Sequence, residues 1–255
     1  MKATGMVRFM LSLMLLAGLI GVTVWMTSIG SVFPDRAFPR TMPPQRLLKE
    51  FSIHIRLVTV AELLAIGIGL PIGLILTRRP IPILTNLLEA LVNVGQTLPT
   101  LCFIFLFSAL LGLGIKSVII ALTVYTVLPI VRNTCAGIKS IDPAVREAAL
   151  GMGMSYLQIF RQIELPVALP TIMAGIRTST VLNVGSAAVA GYLGVGGFGA
   201  IIAEGIAYGG IIQIVLQGAA PTAALAITLD LALGTVERVL TPRGIKVAKA
   251  AIAVA

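Results

Sequence analysis

Long runs of apolar residues, separated by short polar stretches, dominate the pattern along this chain. A transmembrane α-helix needs about 20 mostly apolar residues to cross the hydrocarbon core of a bilayer. The segments of that length and character are residues 7–29, 57–77, 87–111, 117–138, 171–193 and part of 211–240. The pattern therefore predicts an all-α transmembrane bundle of about six helices.

Residues that disturb a helix bear on the interpretation of the third and the last of these segments. Pro99 lies inside the third segment, where its ring and its missing N–H would kink the helix. The last segment contains Gly218 and Pro221. Because these residues interrupt the run, it is predicted to begin as a half-helix or irregular entry and to continue as a full span from about Thr222. Irregular backbone at membrane depth needs protein or a water-filled cavity around it.

The first segment has two interpretations. Lys2 and Arg8 precede or begin the apolar run, as in a signal peptide, but the run is long for that purpose, and a retained helix is favoured. The stretch 31–50 that follows is rich in proline, which is typical of an extended external linker. Its prolines are Pro34, Pro39, Pro43 and Pro44. The predicted organisation is residues 1–50 as helix and linker, 51–241 as a core of five transmembrane helices, and 242–255 as a basic tail.

Composition and charge agree with a membrane protein. The 255 residues are 57% hydrophobic and 11% charged, whereas soluble domains average about 25% charged residues. A net charge of +9 would indicate nucleic-acid binding in a soluble protein, but here no nucleic-acid partner is expected, because basic residues in short loops orient the bundle. If the N-terminus is cytoplasmic, the outer ends hold only Arg36, Arg40, Arg46, Lys49, Arg56 and Lys116 of the basic residues. This asymmetry predicts cytoplasmic N- and C-termini and a cytoplasmic loop at 139–170.

That loop carries the local signals of a short helix near its start. Asp142 followed by Pro143 is a strong helix beginning, since the carboxylate caps free N–H groups and proline suits the first turn. The helix is predicted to run to about Leu150 and to end at Gly151 or Gly153.

A second short helix is predicted directly afterwards. Ser155 and Gln158 have the spacing of a capping box, and the helix is predicted to run to about Glu164 and to be closed by Pro166. Its apolar residues on one face are Tyr156, Ile159, Phe160 and Ile163. Such a face packs either on the protein's own helix ends or on a cytoplasmic partner, and the residues alone leave both open.

The same loop contains a motif of defined spacing. It consists of Glu147-Ala148-Ala149, Gly153, and Ile163-x-Leu165-Pro166. This pattern resembles the EAA loop of permease subunits from bacterial binding-protein-dependent ABC importers, and it is met at every position. The resemblance covers about residues 54–240. Within this range, similarity to permeases of the osmoprotectant group is found in the stretches 91–106, 128–141, 165–180 and 191–204. Permeases of that group import glycine betaine, choline, carnitine or proline betaine.

The resemblance implies both a fold and a transporter of several subunits. The fold would be a type I ABC importer permease (MetI-like) bundle in the bacterial inner membrane. In that family the loop fits a cleft on an ATPase subunit. The ATPase-coupling residues would be Glu147, Ala148, Ala149, Gly153, Ile163, Leu165 and Pro166. The implied partners are two ATPase subunits, a second permease subunit (identical or related) and an extracytoplasmic binding protein. ATP and Mg would bind to the ATPase, so this chain would be a transport subunit without a cofactor, not an enzyme.

Two alternatives remain open at this point. The same kind of machine could carry another small solute, such as methionine. An ion-coupled secondary transporter would instead work without an ATPase; that class often contains inverted repeats with broken helices, and the sequence shows no convincing repeat.

Polar residues inside the predicted spans are candidates for the substrate path, since such groups usually face the interior of the bundle or a water-filled cavity. Asn93, Gln96 and Thr97 lie at positions i, i+3 and i+4, so they share one face of the third segment. Asn183 is a further candidate in the fifth segment. The alternative for these residues is hydrogen bonding that holds the helices together.

Three other polar residues are less easily interpreted. Asp230 is expected to pair with Arg177 or Arg132, or to belong to the path. Glu62, in the second segment, is unusual and receives no role. The single histidine, His54, is expected at the membrane interface, without a set of metal ligands around it.

Glycine is dense at residues 191–199, between the fifth and sixth segments. This predicts a close-packed external turn that touches a binding protein or acts as a gate. Because the stretch lacks the lysine and threonine of a phosphate-binding loop, no nucleotide site is expected there.

Overall fold

The computed structural model describes residues 42–78, 90, 95 and 97–242. Within these ranges the regular structure is helical, without a β-strand. The helices are α1 (Pro44–Arg78), α2 (Thr100–Leu111), α3 (Ile115–Lys139), α4 (Pro143–Gly151), α5 (Tyr156–Ile159), α6 (Leu165–Ala190), α7 (Phe198–Ala207) and α8 (Ile212–Leu240). A π-helical turn (Phe160–Glu164) joins α5 to α6, and a 3₁₀ turn (Gly191–Leu193) follows α6. The predicted all-α class is confirmed.

Four helical stretches of the described residues are long and apolar enough to cross a membrane. They are Pro44–Arg78, Ile115–Lys139, Tyr156–Leu193 and Ile212–Leu240, which correspond to the second, fourth, fifth and sixth predicted spans. α2 and α7 are shorter apolar helices. The first predicted span lies outside the described residues, and the third lies only partly within them.

The core forms where α3 packs between α1 and α6. Two clusters of buried apolar side chains fill it. Their central members are Leu57, Val58, Leu122, Val184, Ala65, Ile130 and Ile172. Lipid is as apolar as these side chains, so close packing, and not exclusion from water, must hold the helices together.

Glycines allow that close packing. A Cβ on Gly73 of α1 would lie 2.6 Å from the Cβ of Thr134 on α3, and a Cβ on Gly175 of α6 would lie 2.6 Å from the Cβ of Asn133. Real Cβ atoms do not approach one another so closely. The contacts of α3 with its two neighbours therefore depend on the absence of a side chain at these positions.

α1 begins earlier than the sequence predicts. Residues 44–50, expected in the extended linker, are helical, so that part of the linker prediction was wrong. Proline in a first turn loses no helical hydrogen bond, and tertiary contacts fix this end of the helix. The backbone N–H of Met42 donates to Oε1 of Gln217 at 2.8 Å, and Arg46 forms an ion pair with Glu204 of α7.

α8 is continuous from Ile212 to Leu240. The predicted irregular entry, with a full span only from Thr222, was therefore wrong. Gly218 lies in the helix where α7 crosses it, since a Cβ there would come within 2.6 Å of the carbonyl oxygen of Phe198. Pro221 is also accommodated inside the helix. The glycine serves a helix contact and does not end the helix.

Pro99 interrupts the helix of the third predicted span, where only a kink was predicted. Thr97 is helical, but the backbone at Pro99 is extended, with φ −58° and ψ 137°, and α2 starts at Thr100. Proline also disfavours the helical conformation of the residue before it, which explains why the helix stops here.

The glycine-dense stretch 191–199 is a close-packed turn, as predicted. A Cβ on Gly199 would lie 1.7 Å from the carbonyl oxygen of Ala188. The N–H of Gly197 donates to Oε2 of Glu50 on α1 at 2.7 Å. The turn leads into α7, a helix that the pattern of apolar residues does not predict.

His54 is enclosed by protein. It is fully buried, and its ring packs on that of Phe198 in α7, with the ring centroids 5.2 Å apart. The contact exists because α7 covers this part of α1, and the placement of His54 at the membrane interface stays a prediction.

Candidate functional site

Local capping builds the first half of the loop between α3 and α6. Oδ1 of Asp142 accepts a hydrogen bond from the N–H of Ala144 at 2.9 Å, and α4 ends at Gly151. Gly153 has a φ of 80°, a left-handed conformation that costs glycine little. The predicted helix start and glycine turn are confirmed.

The second half differs from the prediction at one point. Ser155 and Gln158 form the predicted capping box. However, Pro166 does not close the helix: the π-helical turn passes directly into α6, so that Tyr156–Leu193 is one helical stretch of 38 residues. Pro166 lies in the first turn of α6. The i→i+5 bonding of the preceding turn accommodates it there, because π-type turns insert into otherwise regular helices.

The predicted coupling residues occupy two environments. The exposed group consists of Glu147, Ala148 and Gly153. The buried or partly buried group consists of Ala149, Ile163, Leu165 and Pro166. A Cβ on Gly153 would meet no atom within 4 Å. One part of the motif therefore faces outward, and the other part attaches the loop to the bundle.

The outer surface of the loop is also apolar. Its exposed apolar side chains are Val145, Leu150, Met152, Tyr156 and Leu157. Of the apolar face predicted for the second helix, Ile159 is buried and Phe160 and Ile163 are partly buried, whereas Tyr156 is 76% exposed. That face packs mainly on the protein itself, and the exposed patch beside it is the kind of surface that marks an interaction site.

Glu164 connects this loop to the transmembrane helices. Its side chain is 1% exposed and forms ion pairs with Arg78, at the end of α1, and Arg146, on α4. Nε of Arg146 lies 2.8 Å from Oε1 of Glu164, and its Nη2 donates to the carbonyl of Ile138, near the end of α3, at 2.9 Å. The guanidinium of Arg78 lies over the ring of Phe160, 5.0 Å from its centroid. One buried carboxylate thus joins the loop to α1, and through Arg146 to α3.

A second ion-pair group joins α6 to α8. Arg177 donates from Nε and Nη2 to the two carboxylate oxygens of Asp230 at 2.8 and 2.9 Å, and from Nη1 to Glu237 at 3.1 Å. Gly234 lies between the two acidic residues, where a Cβ would come within 3.3 Å of Cζ of Arg177. The predicted pairing of Asp230 with Arg177 is confirmed.

Of the residues predicted to line a substrate path, the structure describes two, and these differ in exposure. Asn93 and Gln96 lie outside the described residues, and Thr97 is exposed. Asn183 is fully buried. Its amide donates to a backbone carbonyl of α1 at 3.2 Å and to Oε2 of Glu62 at 3.0 Å, so in this conformation it bonds α6 to α1. A path role for these residues stays a prediction.

Comparison with known proteins identifies the family. Residues 69–243 match the model of the family described as "Binding-protein-dependent transport system inner membrane component". The matched region contains the loop and both ion-pair groups. The chain belongs to this family of ABC importer permeases. The family resemblance drawn from the loop motif is confirmed, and the molecule is a multi-pass membrane transport subunit.

Named relatives cover most of this permease. It is 40% identical over 196 residues to the glycine betaine/carnitine/choline transport system permease protein OpuCD of Bacillus subtilis (strain 168). The aligned residues cover 77% of this chain and 85% of that protein. It is 39% identical over 198 residues to the osmoprotectant import permease protein OsmW of Salmonella typhimurium, spanning 76% of this chain and 91% of that one.

A solved structure supports the fold. The permease resembles a chain in the inward-facing MetNI methionine ABC transporter with a TM-score of 0.67 and 25% identity, covering 79% of this chain and 100% of that one. The predicted MetI-like bundle is confirmed.

Proposed function

We propose that this permease imports a small quaternary ammonium osmoprotectant, such as glycine betaine, carnitine or choline, as a subunit of an ATP-driven importer. The observation that carries the proposal is the 40% identity, over 77% of the chain, to a glycine betaine/carnitine/choline permease. Relatives named for choline and for carnitine transport, at 39% and 38% identity, support the same solute class.

The importer is completed by other subunits. Two ATPase subunits dock at residues 142–166 of the permease pair and bind ATP with Mg, so that this chain itself hydrolyses nothing. A second permease, identical or related, forms the pore with it, and an extracytoplasmic binding protein delivers the solute. The support for ATPase docking is the exposed set of motif residues next to an exposed apolar patch.

Movement of the docked loop passes into the bundle through Glu164. A displacement of α4 shifts Arg146, which forms an ion pair with Glu164 and donates a hydrogen bond to the end of α3. Glu164 is bonded in turn to Arg78 at the end of α1. α1, α3 and α6 therefore respond together to a movement at the ATPase surface.

The loop faces the cytoplasm, and so do both chain termini. The support is the concentration of basic residues at the loop's side of the predicted spans. The glycine turn at 191–199 then lies on the outer side, where the binding protein docks.

The composition of the complex tests this function. The full-length permease, purified from membranes of its host, should bring with it an ABC ATPase and a permease or binding protein of the same importer. The recovered binding protein should bind glycine betaine, carnitine or choline in a calorimetric screen. Binding of methionine in their place would favour the second candidate, which rests on the likeness to the MetNI structure. Solute uptake by the permease without an ATPase would contradict both.

Charge changes on the exposed motif should uncouple the ATPase. Glu147→Lys and Gly153→Asp should abolish solute uptake in proteoliposomes, at least tenfold below wild type, and remove solute-stimulated ATP hydrolysis, while the permease still reaches the membrane. At Gly153 a side chain also strains the backbone, since φ is 80°. Val239→Lys is the matched control, because it adds a charge at a 78% exposed residue near the end of α8, outside the loop. Normal uptake in both loop variants would contradict the docking role.

A further inference from the structure

Glu62 is an acidic residue in the middle of α1, and its side chain faces α6. Only 8% of it is exposed. Its Oε2 accepts a hydrogen bond from Nδ2 of Asn183 at 3.0 Å, and the same amide group donates to the carbonyl of Val58 at 3.2 Å. The two protons of the Asn183 amide are therefore both used.

Two acceptor oxygens at this contact are left without a donor. They are Oε1 of Glu62 and Oδ1 of Asn183, which are buried and have no hydrogen-bond partner among the described residues. The hydroxyls of Ser179 and Thr180 also lie within hydrogen-bonding reach of the carboxyl group, but each has a single proton and also a carbonyl acceptor, that of Thr126 at 3.0 Å for Ser179 and one of its own helix at 2.8 Å for Thr180. The contact contains more acceptors than protons to satisfy them.

Among the described residues, no basic side chain forms an ion pair with Glu62, whose hydrogen bonds come from uncharged groups. The charged and titratable groups of the neighbouring helices lie in other places. On α3, Tyr125 packs on a phenylalanine ring of α2, and the basic residues lie toward the two ends of the helix. Arg177 of α6 is held by acidic residues of α8. On α1 and α7, His54 packs on a phenylalanine and Glu204 pairs with an arginine.

A carboxylate in such a place would be very costly. A buried charge without a counter-ion is unfavourable in a protein interior and more so in a membrane, and Oε1 would face lone pairs of neighbouring oxygens. A neutral carboxylic acid removes both difficulties, because it carries no charge and supplies one O–H donor.

We propose that Glu62 is a proton-binding site of this permease, and that the bound proton completes the contact between α1 and α6. The proton resides on Oε1, and the O–H donates to one of the acceptor oxygens around it. The ligand of the site is a single proton, taken up when the helices pack. Proton binding at this site requires neither the solute nor the ATPase.

Proton binding makes the stability of the bundle depend on pH. An exposed glutamate in the unfolded chain has lost its proton above about pH 4.3, whereas the packed bundle retains one at Glu62. By linkage, stability then falls as the pH rises. The contribution disappears where Glu62 is replaced by a residue that does not titrate.

Infrared spectroscopy of the full-length permease in lipid nanodiscs tests the site directly. The spectrum at neutral pH should contain the C=O stretching band of a protonated carboxyl group. The band should shift when the protein contains ¹³C-labelled glutamate, disappear in Glu62→Gln and Glu62→Leu, and persist in the control Glu204→Gln. Absence of the band from wild type, or its persistence in both Glu62 variants, would overturn the proposal.

Thermal unfolding provides a second readout in the same nanodiscs. The unfolding midpoint of wild type should fall with rising pH more steeply than that of Glu62→Gln, and Glu204→Gln should retain the wild-type slope. If Glu62→Gln does not insert, Glu62→Leu takes its place, because leucine suits a helix buried in a membrane. Equal slopes in wild type and the Glu62 variant would show that no proton is bound there, and would overturn the proposal.

Discussion

Glu164 and Arg177 are the centres of two ion-pair groups with different surroundings. Glu164 is almost completely buried, while its two arginine partners are more than one third exposed. Arg177 and its acidic partners are all partly exposed. Solvent weakens ion pairs at the surface. Loss of one charge is therefore more damaging in the Glu164 group, where a buried side chain loses its partner, than in the Arg177 group.

Neutralising Glu164 should separate the loop from the transmembrane helices. Glu164→Gln keeps the shape of the side chain but removes the charge that holds Arg78 and Arg146. It should cost about 2 kcal/mol of stability and lower solute uptake more than basal ATP hydrolysis, measured on the reconstituted importer. Glu204→Gln, which removes the acidic partner of a different ion pair, should leave the ratio of uptake to hydrolysis unchanged. An unchanged ratio in Glu164→Gln would contradict the connection.

The sequence predicts contacts between near neighbours much better than contacts across the fold. The Asp142 cap and the Ser155–Gln158 box are decided within a few residues, and both predictions are confirmed. Arg78 and Glu164 are 86 positions apart. The signal available in the sequence was an acidic residue directly before an apolar span, which shows that Glu164 needs a partner but does not show which residue supplies it.

At the scale of whole helices, the predictions drawn from one proline and one glycine were wrong. Pro166 was predicted to end a helix and lies inside a continuous helical stretch. Gly218 was predicted to interrupt α8 and marks the crossing of α7. In both places the residue disfavours a helix locally. Whether the helix ends there depends on the neighbouring turn or helix, which the sequence does not show.

Two glycines in α6 allow a direct test of helix packing. Alanine stabilises a helix by about 1 kcal/mol relative to glycine, and at Gly185 nothing lies within 4 Å of the added Cβ, so Gly185→Ala should raise the thermal unfolding midpoint slightly. At Gly175 the Cβ would lie 2.6 Å from the Cβ of Asn133 and 3.0 Å from a backbone oxygen. Gly175→Ala should therefore lower the midpoint by several degrees. Equal effects of the two substitutions would contradict the close contact of α3 and α6.

For the whole molecule, the apolar pattern predicted the class of fold, and the loop motif predicted the family. Neither predicted α7, because a helix of ten residues is too short for a search based on membrane-spanning length. Its position over α1 explains why His54 is buried and why α1 extends beyond the predicted boundary.

Selective labelling of cysteines tests the orientation of the bundle. The native cysteines, Cys102 and Cys135, are first replaced by alanine. A membrane-impermeant thiol reagent applied to intact cells should then label Leu113→Cys, between α2 and α3, and spare Met152→Cys in the loop. Both residues are well exposed, at 76% and 73%, so accessibility alone cannot produce the difference. After the cells are opened both should react, and the reverse pattern in intact cells would contradict a cytoplasmic loop.

The unbroken path from Tyr156 to Leu193 has a mechanical consequence. At 1.5 Å per residue, these 38 residues have a helical length of about 57 Å, with the exposed patch of the loop at one end and the glycine turn at the other. If the stretch tilts as one body by roughly 10°, one end moves about 10 Å sideways relative to the other. A small rotation at the loop then becomes a wide displacement at the glycine turn.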